Sequence, residues 1–94
     1  MTVEYDTIHN HHEHVVYAAV DARRMQFPHL DAMLLADVAC VALNRLPPRY
    51  IRHEVDYAFY LTDRERLEND RAVAEAVTYA FEFVQARRAM RARV

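Results

Sequence analysis

The segment Asp37-Val38-Ala39-Cys40-Val41-Ala42-Leu43-Asn44-Arg45-Leu46-Pro47-Pro48-Arg49-Tyr50 decides the fold. Its first half is almost wholly apolar. The paired prolines then stop any helix, because neither can donate a backbone hydrogen bond. Upstream, Leu34 joins Val38, Val41 and Ala42 in one apolar stripe, which Met33, Leu35, Ala39 and Leu43 widen. This pattern predicts a helix from about Asp31 to about Asn44, capped by the Asp31 side chain. It is apolar over most of its circumference, with Asp37 the one charge inside it. A helix of that kind sits at the centre of a fold or of an interface.

Two further helices flank it. The first is expected from about Asp6 to about Met25, with Asp6 or Thr7 as its cap. Ile8, His12, Val15, Ala19 and Ala22 recur at spacings of three and four and mark its apolar face. Gln26-Phe27 precedes Pro28, which disfavours helix in its predecessor and closes the segment. The last helix opens at Thr62, where Thr62-Asp63-Arg64-Glu65 has the form of a capping box. Leu67, Ala74, Val77, Phe81 and Val84 carry its stripe, and Val73, Ala76, Ala80 and Phe83 broaden it. Arg87, Arg88, Arg91 and Arg93 gather where the negative end of the helix dipole favours them. Such a helix approaches 30 residues and roughly 45 Å. That exceeds the diameter of so small a domain, so a homodimer is expected.

Between Arg49 and Leu61 the period changes to two. Ile51, His53, Val55, Tyr57, Phe59 and Leu61 alternate with Tyr50, Arg52, Glu54, Asp56, Ala58 and Tyr60. Alternation rich in β-branched and aromatic residues suggests a strand. A lone strand has unpaired edges. Either it pairs with another chain, or the segment is a loop or short helix. The expected fold class is therefore mainly α: one small domain over residues 1–94, about three helices, a possible short strand after the second, and a dimeric assembly.

Length and composition bound the function. With 94 residues and 53% hydrophobic content the chain supports one core and is not disordered. Surface scaling predicts roughly 5,600 Å² folded against roughly 16,000 Å² unfolded, which leaves little room for a deep private active site. Glycine and serine are both absent. That removes glycine-rich phosphate loops, the dinucleotide fingerprint and serine nucleophiles. The net charge is −2, which argues against a duplex DNA partner. No apolar run reaches the length of a membrane span, and no leader or lipidation motif is evident, so the expected location is the cytoplasm. Cys40, the only cysteine, lies among Val38, Ala39, Val41 and Ala42 and reads as a buried small hydrophobe.

Two constellations could carry chemistry. The first is His9, His11, His12 and His14 with Glu13. No two of these histidines stand four apart, the spacing that brings two helix ligands to one metal, and the HExxH pattern is absent. The cluster reads as a helix surface, with neither metal nor cofactor expected. Paired carboxylates at Asp63/Glu65 and Glu68/Asp70 read as a solvated face, so no enzymatic activity is expected. The second constellation is the exit from the proline turn: Asn44, Arg45, Arg49, Tyr50, Arg52, His53 and Asp56. All 12 basic residues are arginine, whose planar fork suits bidentate recognition that lysine cannot mimic. Arginine can stack on a base, fork to guanine or grip phosphate. Tyr50 and His53 can stack, and Asp56 or Glu54 can accept from a guanine edge. Asn44 either caps the helix end or touches ligand. On spacing alone this is also a rigid turn whose arginines pair with nearby carboxylates, Asp37 among them.

The core Ala42-Leu43-Asn44-Arg45-Leu46-Pro47-Pro48-Arg49-Tyr50 resembles the signature of the late competence development protein ComFB family. Ile8-His9-Asn10 followed by Glu13 and Val15-Val16 is similar to that family's opening. The resemblance implies a small, mostly helical, dimeric bacterial protein that acts as a receptor for cyclic dinucleotide second messengers, chiefly cyclic di-GMP, and signals to a downstream protein. Some members hold structural zinc through cysteines between the first two helices; residues 26–36 contain none here, so zinc does not carry over. The alternative is a dimeric adaptor that binds no ligand and only recruits a protein, its arginines satisfied internally.

Overall fold

The computed structural model describes residues 1–92, and of Tyr60 the backbone alone. A 3-10 turn at Tyr5–Thr7 leads into strand β1 (His9–Asn10) and helix α1 (His12–Arg23). A second 3-10 turn, Arg24–Gln26, connects to α2 (Ala32–Asn44). Strand β2 (Tyr50–Ile51) follows the proline turn, then the short α3 (Glu54–Tyr60) and the long α4 (Asp63–Ala92). The domain is mainly helical, with a short strand after the second helix, as the sequence pattern predicts; the described residues form four helices, the added one being the short α3.

Helix α2 lies at the centre and packs on both α1 and α4. Asp31 caps it as expected: its carboxylate accepts from the Leu34 N–H at 2.9 Å. Leu35, Val38, Ala39 and Ala42 are its buried stripe, continued by Leu46 beyond the helix end. Val16 and Val20 of α1 and Val73, Ala76, Val77, Ala80, Phe81 and Val84 of α4 complete the core. Burying a valine, leucine or phenylalanine side chain contributes about 1.5–3 kcal/mol each, so this cluster drives the fold. Phe81 has no exposed surface, and its ring stacks on Phe27 with centroids 4.2 Å apart.

Four expectations are corrected. Helix α1 begins at His12, not Asp6. Residues 9 and 10 are taken instead into an antiparallel pairing with β2, His9 opposite Ile51 and Asn10 opposite Tyr50. Thr7 therefore caps nothing in α1; its hydroxyl donates to the Glu4 carbonyl at 2.8 Å. The buried face of α1 is His12, Val16 and Val20, whereas Ile8 and Ala22 are exposed. The segment 49–61 is split: its strand pairs within the chain rather than with another, and its remainder is helix α3. Among the described side chains of α3, Tyr57 alone is buried; Val55 and Phe59 are exposed.

Cys40 is also exposed. The stripe through Leu35, Val38 and Ala42 turns inward, which leaves Met33, Asp37, Cys40 and Asn44 on the outer side at helical spacing. The apolar circumference of α2 is thus only half used. On α4, Thr62 accepts from the Glu65 N–H at 3.1 Å, the expected cap. Its burial begins only at Val73; Leu67, Ala74 and Phe83 are exposed. Arg87, Arg88 and Arg91 stand near its end, and Arg93 lies outside the described residues. Among the described residues no helix is long and apolar enough to cross a membrane.

Candidate functional site

The proline turn is held at both ends. Leu46 is buried, and its N–H donates to the Leu43 carbonyl at 3.2 Å, closing the last turn of α2. Beyond the prolines, the Arg49 N–H donates to Asn10 Oδ1 at 3.0 Å, and the His11 N–H donates to the Arg49 carbonyl at 2.7 Å. The same Asn10 oxygen accepts from the His12 N–H at 3.2 Å. One side-chain amide therefore serves the free N-terminus of α1 and the exit of the proline turn together. His12 is buried against this turn, lining a groove with Leu46, Pro47, Pro48, Arg49 and Tyr57. Burial and the neighbouring His11 hold its imidazole below the usual range and outweigh its bond to the Pro47 carbonyl, so the neutral ring is favoured.

Asn10→Ala leaves two backbone donors without their acceptor. Each net hydrogen bond contributes about 1 kcal/mol, and an orphaned donor costs about 1–3 kcal/mol. A loss of roughly 2–4 kcal/mol is expected from chemical denaturation. Asn10→Asp, which keeps the acceptor, should recover most of it.

The seven residues singled out at this turn do not meet in one cavity. Asn44 donates from Nδ2 to the Cys40 carbonyl at 3.0 Å, which is the helix-end role. Arg45 stacks on the Tyr79 ring of α4, its guanidinium carbon 3.7 Å from the centroid. Arg49 lies 5.4 Å over the Tyr57 ring. Arg52 donates from Nε to the Thr7 hydroxyl at 3.3 Å and borders a depression formed by residues 2–8. Tyr50 is 68% exposed. His53 stands at the N-terminus of α3 and Asp56 in its first turn, both exposed. Among the described residues, no carboxylate lies within ion-pair distance of Arg45, Arg49 or Arg52. The internally paired turn is thus not formed. Asp37 faces elsewhere, lining a groove of about 440 Å³ with Arg87, Arg88 and Arg91.

Glu54, the first residue of α3, gathers the histidines instead. Its Oε1 lies 3.1 Å from His9 Nε2 and 3.3 Å from His14 Nδ1; its Oε2 lies 2.8 Å from His11 Nδ1. His11 is further held by Tyr57, with ring centroids 4.1 Å apart. Burial pushes the Glu54 carboxyl up, but the hydrogen bonds of His9 and His11 prevail and hold it below the usual carboxylate range. The hydrogen bond to Glu54 raises His9, helped by the Thr7 carbonyl. Only the pairing of β1 with β2 brings residue 54 to residues 9–14, and a two-residue ladder leaves almost no mark on sequence. Asn10 was equally hidden, because its task is set by Arg49, a residue 39 positions away.

These features, a core of α1, α2 and α4 with a tyrosine- and arginine-bearing proline turn pinned to the start of α1, define a small, mainly α-helical domain. The family described as Late competence development protein ComFB matches residues 9–88, and the chain belongs to it. Comparison with curated proteins and with solved structures finds no match. The connection into α2 carries no cysteine, and Cys40 lies exposed on the outer side of that helix.

Proposed function

We propose that this protein is a non-enzymatic receptor for a cyclic dinucleotide, cyclic di-GMP foremost, acting as a cytoplasmic homodimer in bacterial second-messenger signalling and passing the signal to a protein partner. The observation that carries this reading is the set of arginines beside the proline turn. Arg45, Arg49 and Arg52 keep their charge without a carboxylate partner among the described residues. An unpaired guanidinium offers two parallel donors to a phosphate or to a guanine edge. Tyr50 presents an exposed ring between Arg49 and Arg52. Resemblance to cyclic dinucleotide receptors in the Asn44–Tyr50 core points the same way.

Shape supports the dimer. The accessible surface is 7285 Å², against about 5,600 Å² expected for a compact chain of this mass. The radius of gyration is 15.6 Å, against about 12 Å. The excess of roughly 1,700 Å² on one protomer is about twice the roughly 800 Å² that each partner hides in a standard interface. The apolar groove beside α2, about 610 Å³ and lined by Tyr17, Val20, Leu35, Ala36, Cys40 and Leu43 among others, supplies a suitable face. Arg49 and Arg52 open onto different depressions of one protomer, so a two-fold axis bringing both copies to one ligand suits a molecule with two phosphates and two bases.

Calorimetric titration with cyclic di-GMP, with cyclic di-AMP and GTP alongside, tests this. Saturable micromolar or tighter binding of cyclic di-GMP with little GTP binding is expected. Equal binding of cyclic di-AMP would place recognition in the phosphates rather than the base. No binding of any of them would overturn the receptor reading in favour of the adaptor.

A further inference from the structure

We propose that His11, His14 and Glu54 form a binding site for a divalent transition metal of the zinc type, which His9, bonded to the same carboxylate, can join. This site stands independently of the dinucleotide reading. One ligand atom from each of His11, His14 and Glu54 lies within 4.8 Å of the other two. Zinc bonds of about 2.0–2.2 Å to nitrogen and oxygen, set tetrahedrally, place donors roughly 3.4 Å apart. The His14 Nδ1–Glu54 separation is already 3.3 Å, and His11 Nδ1 stands at 2.8 Å from the other carboxylate oxygen. Small side-chain rotations admit the ion. His14 and Glu54 are about half exposed and free to make them. Two imidazoles and one carboxylate form a donor set suited to zinc, cobalt or nickel rather than to magnesium or calcium.

His9 supplies a separate reason to expect a cation. Its Nδ1 faces the Thr7 carbonyl at 3.3 Å and its Nε2 faces Glu54 Oε1 at 3.1 Å. A neutral ring has one N–H, so one of these two nitrogens confronts an oxygen acceptor with its own lone pair. A metal on the Glu54 side resolves this conflict: Nδ1–H donates to Thr7, and Nε2 ligates. A backbone carbonyl behind a ligating histidine is the usual outer support of such sites. The ion would join the 3-10 turn, β1 and the start of α1 to the first residue of α3. It would thereby brace the segment 49–53 that follows the proline turn.

The test loads the metal-stripped full-length protein with Zn2+ against a chromogenic chelator, and separately with Co2+ while its visible d–d absorption is followed. One ion per chain, micromolar or tighter affinity, and the intense visible bands of four-coordinate Co2+ are expected. Glu54→Gln and His14→Ala should each weaken Zn2+ binding at least tenfold and remove those bands, whereas His29→Ala, remote from the cluster, should change neither. His14 is exposed, so His14→Ala keeps the test decisive if Glu54→Gln does not fold. Absence of saturable binding in the wild type, or binding undiminished in both variants, would overturn the site and leave protons alone as the cation His9 and Glu54 share.

Discussion

Arg49→Ala is expected to weaken cyclic di-GMP binding by about 10- to 150-fold, the equivalent of one charge-assisted hydrogen bond at about 1.5–3 kcal/mol. Its fold should survive. Arg49 is exposed, and the backbone bonds that locate it run through its N–H and carbonyl, which alanine retains. The side chain gives up only its position over the Tyr57 ring, 5.4 Å away, at a cost of about 0.5–1 kcal/mol at an exposed site. Binding and stability are thus separable at this residue. Arg49→Lys sharpens the measurement: lysine keeps the charge but not the planar fork, so recovery short of wild type identifies bidentate contact. Arg64→Ala serves as control, because Arg64 pairs with Glu68 one helical turn on, and such an exposed pair contributes little. If Arg49→Ala binds as the wild type does, the proline-turn arginine is not a ligand contact. If binding and melting temperature fall together, the arginine's role is structural, as the adaptor reading requires.

Phe81→Ala is expected to cost about 3–5 kcal/mol, the usual range for an aromatic removed from a core. Phe81 is fully buried on α4, stacks on Phe27 at 12° between ring planes, and has the Arg23 guanidinium 5.3 Å from its centroid. Truncation leaves a void beside the Phe27 ring that stacks on it. A domain of this size holds roughly 5–14 kcal/mol in all. The variant should therefore melt about 15–30 °C lower by calorimetry. Phe81→Leu, which preserves most of the volume, should lose much less. Melts at several protein concentrations add information: a midpoint that rises with concentration is the mark of a dimer that stabilises its own fold. A drop below about 5 °C for Phe81→Ala would mean that α4 does not pack on α1 and α2 through this ring.

The helical patterns are legible in the sequence. Asp31 announced its cap, Thr62 and Glu65 theirs, and the stripe from Val73 to Val84 its helix, because capping and amphipathicity are local properties written within a turn or two. The segment 49–61 was ambiguous for the opposite reason. Its alternation fits a strand, yet only Tyr50 and Ile51 find a partner strand, and Glu54–Tyr60 winds into a helix that buries Tyr57. Cys40 is exposed despite its apolar sequence neighbours, because an apolar neighbourhood in sequence is not an inward direction in space. Its environment follows from the rotation of α2 about its own axis, which Leu35, Val38 and Ala42 set.

The same division runs through the candidate sites. Sequence alone determined the family signature, the rigid proline turn and the arginines around it, since those depend on residue type and short spacing. Tertiary structure alone decided that, among the described residues, those arginines lack carboxylate partners, that Asn10 clamps Arg49 to α1, and that Glu54 meets His9, His11 and His14. These are contacts across about 40 residues, created when a two-residue ladder closes. Local propensity cannot encode such closure, because its free energy comes from the core that α1, α2 and α4 build together.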